Sequence, residues 1–288
     1  MQTIPSDLAV SIQGQLGGLL EQRIGSPLEA SHFERDWSPL WEELRDGGWF
    51  DFKDIYDDLP AVADVRVDLA FLVENWARFL VPLPFSEALA QALHGLGPAT
   101  IGSPSPERGF GYRCYPGLLE NVSPPSAEEH DVFAPSRPIH WVSADADGIA
   151  DESYFATLCV LWAAEAVGCA GAAIDAATDH ARNRVAYGRS VATFQAIQHL
   201  LVDAHVDREL AWTAVVAAAH GPDLAASLRM AADAAARSRR IAECSVQVIG
   251  GMGFTWETGV HFYLRHVVAA QKLLRGFVEG TEEAEPGA

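Results

Sequence analysis

Residues Cys244–Glu257, CSVQVIGGMGFTWE, decide how the rest of the chain is read. They close a run of alanine, arginine and isoleucine with helical texture. Three glycines, Gly250, Gly251 and Gly253, then fall within four positions ahead of Phe254. Without a Cβ, these glycines permit positive φ and close approach of a ligand to the backbone, leaving the amides of the next helix open to an anion. A plain turn between helices needs one or two glycines. Three of them, with Gln247 just ahead, point to a binding edge. The G-x-G-x-x-G fingerprint requires a preceding strand and a third glycine in register. Here the glycines follow a helix, so a dinucleotide fold of that type is excluded, and no P-loop or G-x-S-x-G motif occurs elsewhere.

Outward from this stretch, the texture is alanine-rich from 151 onward, and alanine costs least in a helix interior. Helices are expected over about 152–183, 190–219, 222–248 and 257–275, the third opened by Asp223 after Pro222. Short connections between long helices imply antiparallel neighbours, hence an up-and-down four-helix bundle over 151–278. The remainder, 279–288, is expected to be an acidic, disordered tail. Residues 1–97 read as a helical domain. Asp36 or Ser38 caps a helix carrying Trp41, Leu44 and Trp49, with Gly47 and Gly48 ending it. Between these regions, 98–150 holds eight of the chain's 16 prolines, which favours short strands and loops over long helices. The fold class expected is therefore mostly α, with a reduced β module in the middle.

A formal net charge of -19 argues against nucleic acid, whose binding relies on neutralising phosphates. Apolar runs such as LCVLWAA are far shorter than the roughly 18 residues of a spanning helix, so no membrane segment is expected. The first residues lack the basic and apolar regions of a secretory leader, which makes the cytoplasm the expected compartment. Four scattered cysteines, Cys114, Cys159, Cys169 and Cys244, read as reduced thiols. A four-helix bundle could hold a di-iron site, but the bundle region contains no Glu-x-x-His. His199 and Asp203, one turn apart, are a single pair and read as a surface contact. No metal is expected.

A second cluster lies in HARNRVAYGRSVATFQAIQH, residues 180–199. Arg182, Arg184 and Arg189 bracket Tyr187-Gly188 at a helix junction, in a chain otherwise short of positive charge. Guanidinium groups beside an aromatic ring and a helix start suit a pyrophosphate and its adenine. Taken alone, they would equally be solvated helix-end charges.

Together the two clusters resemble the acyl-CoA dehydrogenase family. Arg184 to Gln195 is similar to its R-x-Q-F-G-x-x-I-x-x-F-Q signature, with Ala186 and Tyr187 replacing the Gln and Phe. QVIGGMGFTWE followed by HFYLR is similar to its Q-x-x-G-G-x-G-F-x-x-E and L-x-R segment, and LWEELRDGGWFDF with ENWARFLVPLPFSEALA to its first helical domain. This resemblance implies FAD and an acyl-CoA thioester, with electrons passed on to an electron-transfer flavoprotein or similar acceptor. It also implies that Arg184, Gln247, Gly250 and Gly251 contact FAD, supported by Tyr187, Phe194 and Gln195, on a flavin held mainly by a neighbouring subunit.

Three departures accompany it. The family's catalytic glutamate falls at Leu274 in one known placement and near Leu158 in another, so no catalytic base is assigned. Glu279 in VEGT lies five residues late and is the one candidate for a displaced base. Glu165 shares a helix face with Leu158 but sits about 10 Å along the axis, and reads as a structural carboxylate. The middle module is roughly half the family's length, and it lacks the Thr/Ser-rich strand that contacts the flavin ring. The pattern implies a subunit acting in a heteromer with a fuller homologue, as in the heteromeric enzymes of sterol side-chain degradation. The rival readings are a self-sufficient dehydrogenase using Glu279 and a flavin-free assembly subunit.

Overall fold

In the N-terminal third, a side-chain cap opens the first helix. Ser6 caps α1 (Asp7–Arg23) by accepting from the Ala9 amide at 3.1 Å, and is itself held by both carboxylate oxygens of Asp68, at 2.6 and 2.8 Å. The computed structural model of the protein describes residues 4–25, 28–29, 31–50, 62–94, 100–102, 110–113, 130–131, 134, 136, 139–143 and 152–283. After α1 come α2 (Ser31–Glu34) and α3 (Ser38–Asp46). Asp36 Oδ1 accepts from the Ser38 amide at 3.0 Å, but neither Asp36 nor Ser38 is the cap: Trp37 takes that position and makes no side-chain hydrogen bond there, while Gly47 follows the last turn of α3, with Gly48 at φ 74°. Two longer helices, α4 (Val62–Ala77) and α5 (Phe85–His94), complete this part.

Strands β1 (Thr100–Gly102), β2 (Phe110–Arg113), β3 (His130–Asp131) and β4 (Ile139–Ser143) then pair antiparallel in the order β1-β2-β4-β3. Prolines leave only short extended segments free to make ladder bonds.

The bundle follows: α6 (Glu152–Asn183), a small hairpin of β5 (Val185–Ala186) and β6 (Arg189–Ser190), then α7 (Gln195–Ala219), α8 (Leu224–Ile249) and α9 (His261–Glu283). Asp223 caps α8 by accepting from Ala226 N at 2.7 Å. α7 starts five residues later than expected, because 185–190 turn back on themselves. α9 starts at His261, since Gly259 takes φ +60° against the Leu28 backbone. It continues to Glu283, past the point where an acidic tail was expected, and 284–288 lie outside the described residues.

α6 is the spine of the fold. Leu158, Leu161, Trp162, Val167 and Ile174 are each at most 1% exposed, and α4, α5, α7, α8 and α9 all pack on this helix. By length and composition α6 could cross a membrane, yet its apolar window is wholly buried inside the protein, as in a core helix. α4 crosses it so closely that a Cβ on Gly168 would collide with the Glu74 carbonyl and approach Ala77 Cβ at 3.0 Å. On the outer side, Asp207 of α7 binds Arg237 at 3.0 Å and Arg240 at 3.1 Å on α8. Partial burial works against its ionisation, but the two guanidinium groups prevail and hold its carboxyl below the ordinary value of 3.8.

Gly168→Ala should destabilise the protein by about 1–3 kcal/mol, read as a lower denaturant midpoint, because backbone and not a flexible side chain must move. Asp207→Asn should lower the melting temperature at neutral pH. A carboxylate whose folded value is depressed contributes stability that is present above its unfolded value of 3.8 and is lost as pH falls through the folded one. The difference between variant and wild type should therefore shrink on acidification; a gap that persists unchanged at low pH would exclude the ion pairs as its cause.

Candidate functional site

α6 ends where its carbonyls find local donors. The Ser190 hydroxyl lies 2.9 Å from both Ala181 O and Arg182 O, and the Arg184 amide donates to His180 O at 2.8 Å. The chain then reverses through Tyr187 (φ 53°) and Gly188 (φ 78°), two consecutive left-handed residues of the kind that close a two-residue hairpin. This turn leaves Tyr187 97% exposed and Arg184 exposed. Phe194 is half-buried, with the Arg189 guanidinium 4.1 Å above its ring and Tyr187 edge-on at 6.4 Å. It also occupies the cap position of α7 and supplies no side-chain hydrogen bond, so the amides that begin at Gln195 have no capping side chain.

The second edge is the end of α8. Gly250 takes φ 76° and ψ -147°, and its amide bonds Val246 O. A Cβ on Gly250 or Gly251 would meet nothing within 4 Å, so backbone is open there. The three glycines do not share one role, however. Positive φ is found at Gly250 and not at Gly251 or Gly253. Gly253 instead packs against α8, where a Cβ would come within 2.9 Å of Val246 O. Thr255 and Thr258 both donate to Met252 O, at 2.8 and 2.7 Å, and fix the loop. Gln247 is exposed on the last turn of α8.

α7 and α8 are antiparallel, with Cys244 Sγ donating to Leu200 O at 3.4 Å. Their pairing places Gln195 and Gly250 at one end of the bundle, and the hairpin bearing Arg184 and Tyr187 feeds directly into that end. Arg184, Gln247, Gly250 and Gly251 thus share an end without bonding one another among the described residues.

Two features of this end were missed in the sequence. Val202, Val206 and Leu210, at successive turns of α7, are 59%, 54% and 46% exposed. Met252, Phe254 and Trp256 in the glycine loop are exposed as well. The i, i+4, i+8 spacing on α7 was visible, but in a bundle such a stripe is read as the inward face. Here small residues such as Ala204, Ala211 and Ala218 face inward instead.

The positions for a catalytic base are apolar and closed. Leu158 and Leu274 are both 0% exposed. Glu165 is 4% exposed and fully engaged: Ser86 donates to its Oε1, and His266 Nε2 lies 3.2 Å from its Oε2. On the other side, His266 Nδ1 is 2.8 Å from Ser136 Oγ, so Glu165 anchors a buried chain from α5 through α9 to the middle module. Glu279 lies on α9, and its side chain is outside the described residues.

Comparison with known proteins fits this geometry. Residues 153–284 match the family model of the acyl-CoA dehydrogenase C-terminal domain. The acyl-CoA dehydrogenase IpdE2 of Mycobacterium tuberculosis is 36% identical over 129 residues, which is 44% of this chain and 38% of that protein. The match thus spans about two fifths of the curated relative's length. Among solved structures, the ChsE4-ChsE5 complex from Mycobacterium tuberculosis superposes with TM-score 0.62 at 15% identity, covering 100% of both chains. The Tcur3481-Tcur3483 steroid ACAD does so with TM-score 0.69 at 18% identity, covering 96% of each. At those identities the structures speak for the fold alone. Residues 153–284 are thus similar in sequence to the acyl-CoA dehydrogenase C-terminal domain, and the chain as a whole shares the fold of these structures.

Proposed function

We propose that this chain supplies the ADP-binding edge of an FAD site completed by a homologous acyl-CoA dehydrogenase subunit. The complex would carry out α,β-dehydrogenation of a bulky, steroid-derived acyl-CoA. The observation that carries this reading is the exposed end of the bundle: Arg184 and Arg189 beside an uncapped helix start, and open backbone at Gly250 and Gly251. Uncapped amides and guanidinium groups attract a pyrophosphate, and Tyr187 offers a flat surface to an adenine. Gln195 and Gln247 are within the same edge and add neutral donors and acceptors.

A subunit interface belongs beside such an edge. The α7 stripe of Val202, Val206 and Leu210 and the exposed Phe254 and Trp256 are large apolar groups that a partner of the same fold would cover. IpdE2 is named an acyl-CoA dehydrogenase and ChsE4-ChsE5 a complex, which supports both the activity and the heteromer.

Bound FAD would take the hydride from the acyl β-carbon, and an electron-transfer flavoprotein or similar acceptor would receive the electrons. The residues of this chain bind and orient. Leu158 and Leu274 can exclude water but cannot accept the α-proton, and Glu165 is committed to Ser86 and His266. The base is therefore assigned to the partner subunit.

Flavin absorbance per protomer tests the reading, measured on the chain alone and then co-purified with a full-length homologue. Flavin should appear only in the complex, at about one per pair of chains. Near-stoichiometric flavin in the lone chain would overturn the shared site and favour a self-sufficient enzyme using Glu279. Arg184→Ala should weaken flavin retention in the complex by roughly ten- to a hundredfold, the range of a charge-assisted contact. Unchanged retention would leave an assembly subunit without flavin contact.

A further inference from the structure

The hairpin that carries Tyr187, with Arg184 at its base, is not placed by burial. Val185, Tyr187, Gly188 and Arg189 are exposed and Ala186 is half-buried, so no large side chain of the turn is seated in the core. β5 and β6 pair over two residues each, Val185 with Ser190 and Ala186 with Arg189. An isolated two-stranded hairpin is marginal in water even when longer than this. Its orientation must come from bonds at its base.

Ser190 supplies them. Its half-buried hydroxyl lies 2.9 Å from both Ala181 O and Arg182 O, carbonyls of the last turn of α6, where helical donors run out. Ala181 is 0% exposed, so the contact reaches the packed body of the bundle. The Ser190 carbonyl accepts from Thr193 Oγ1 at 2.7 Å, which ties the same residue forward to the start of α7. On the facing strand, Arg184 O accepts from the Val191 amide at 2.8 Å. Among the described residues, the Ser190 hydroxyl is the only side-chain group that hydrogen-bonds the hairpin to α6.

The three arginines of this end differ in what else engages them. Arg182 lies 3.5 Å from Asp179, and the Arg189 guanidinium is stacked on Phe194. Arg184 has no ion-pair partner among the described residues, so it is the cation most available to an anion. Its neighbour across the pairing is Ser190, one residue on from Val185.

Resting on the flavin-edge reading above, we infer that Ser190 is a positioning residue. Its hydroxyl fixes the hairpin against the end of α6 and so holds Arg184 and Tyr187 at one spacing for the ADP half of the dinucleotide. A guanidinium on the pyrophosphate and a ring on the adenine act together only if that spacing is kept, and a hairpin ordered before binding spares the ligand the cost of ordering it.

The test measures the FAD dissociation constant of the complex with its homologous subunit, for wild type, Ser190→Ala, Ser190→Thr, Arg184→Ala and the Ser190→Ala, Arg184→Ala double variant. Ser190→Ala should weaken FAD binding about three- to tenfold, the range of one neutral hydrogen bond, and Ser190→Thr should restore it. Melting without flavin should stay close to wild type in Ser190→Ala, since only the hairpin loosens. In the Arg184→Ala background the same change should cost much less, because Ser190 acts through the group already removed. Equal losses in both backgrounds would overturn the inference, as would a Ser190→Thr variant no better than Ser190→Ala, or a marked fall in the flavin-free melting temperature. If Ser190→Ala binds FAD as wild type does while Arg184→Ala weakens binding, the positioning role falls and the flavin edge stands. If neither change weakens binding, both fall.

Discussion

The whole structure depends on enclosing α6. A helix apolar around its circumference cannot lie on a surface, and must be covered on every side. α4 and α5 come to it from the N-terminal part, and α7, α8 and α9 from the bundle. Close approach is allowed by small residues, above all Gly168 beneath the Glu74 carbonyl. Two regions that the sequence treats as separate domains therefore share one hydrophobic core.

Polar groups in that core keep the parts in register. Arg66 of α4 reaches Thr157 and Ser153 on α6, at 2.9 and 2.8 Å. Glu165, His266, Ser86 and Ser136 tie α5, α6, α9 and the middle module through one buried chain. Such a network is tolerated only when its members find partners, because a lone buried charge is expensive.

Function is segregated from this core. The candidate binding residues sit where helices end, because only there are backbone amides free and glycine turns possible. The α7 stripe continues along the same bundle from that end, so exposed apolar area and the proposed nucleotide edge are neighbours. In the proposed function this edge is half of a site that a second subunit completes.

Much of this was legible in the sequence. The cap at Asp223, the ends of α6 and α8, and the proline-rich break between helical regions follow from local chemistry. So do the two clusters around Arg184 and Gly250, whose residue types carry their meaning without neighbours. Long-range relations were not legible. That Gly253 serves packing while Gly250 serves conformation depends on where Val246 lies. That Glu165 is held by Ser86 and His266 depends on contacts 79 and 101 residues apart. Whether Val202 and Val206 face inward or outward is set by which side of α7 meets α6 and α8. Sequence by itself determined the helices, their ends and the chemistry offered there, because those are contests between neighbouring residues. Only the tertiary structure decided which polar groups find partners, since that depends on atoms the chain brings together from far apart.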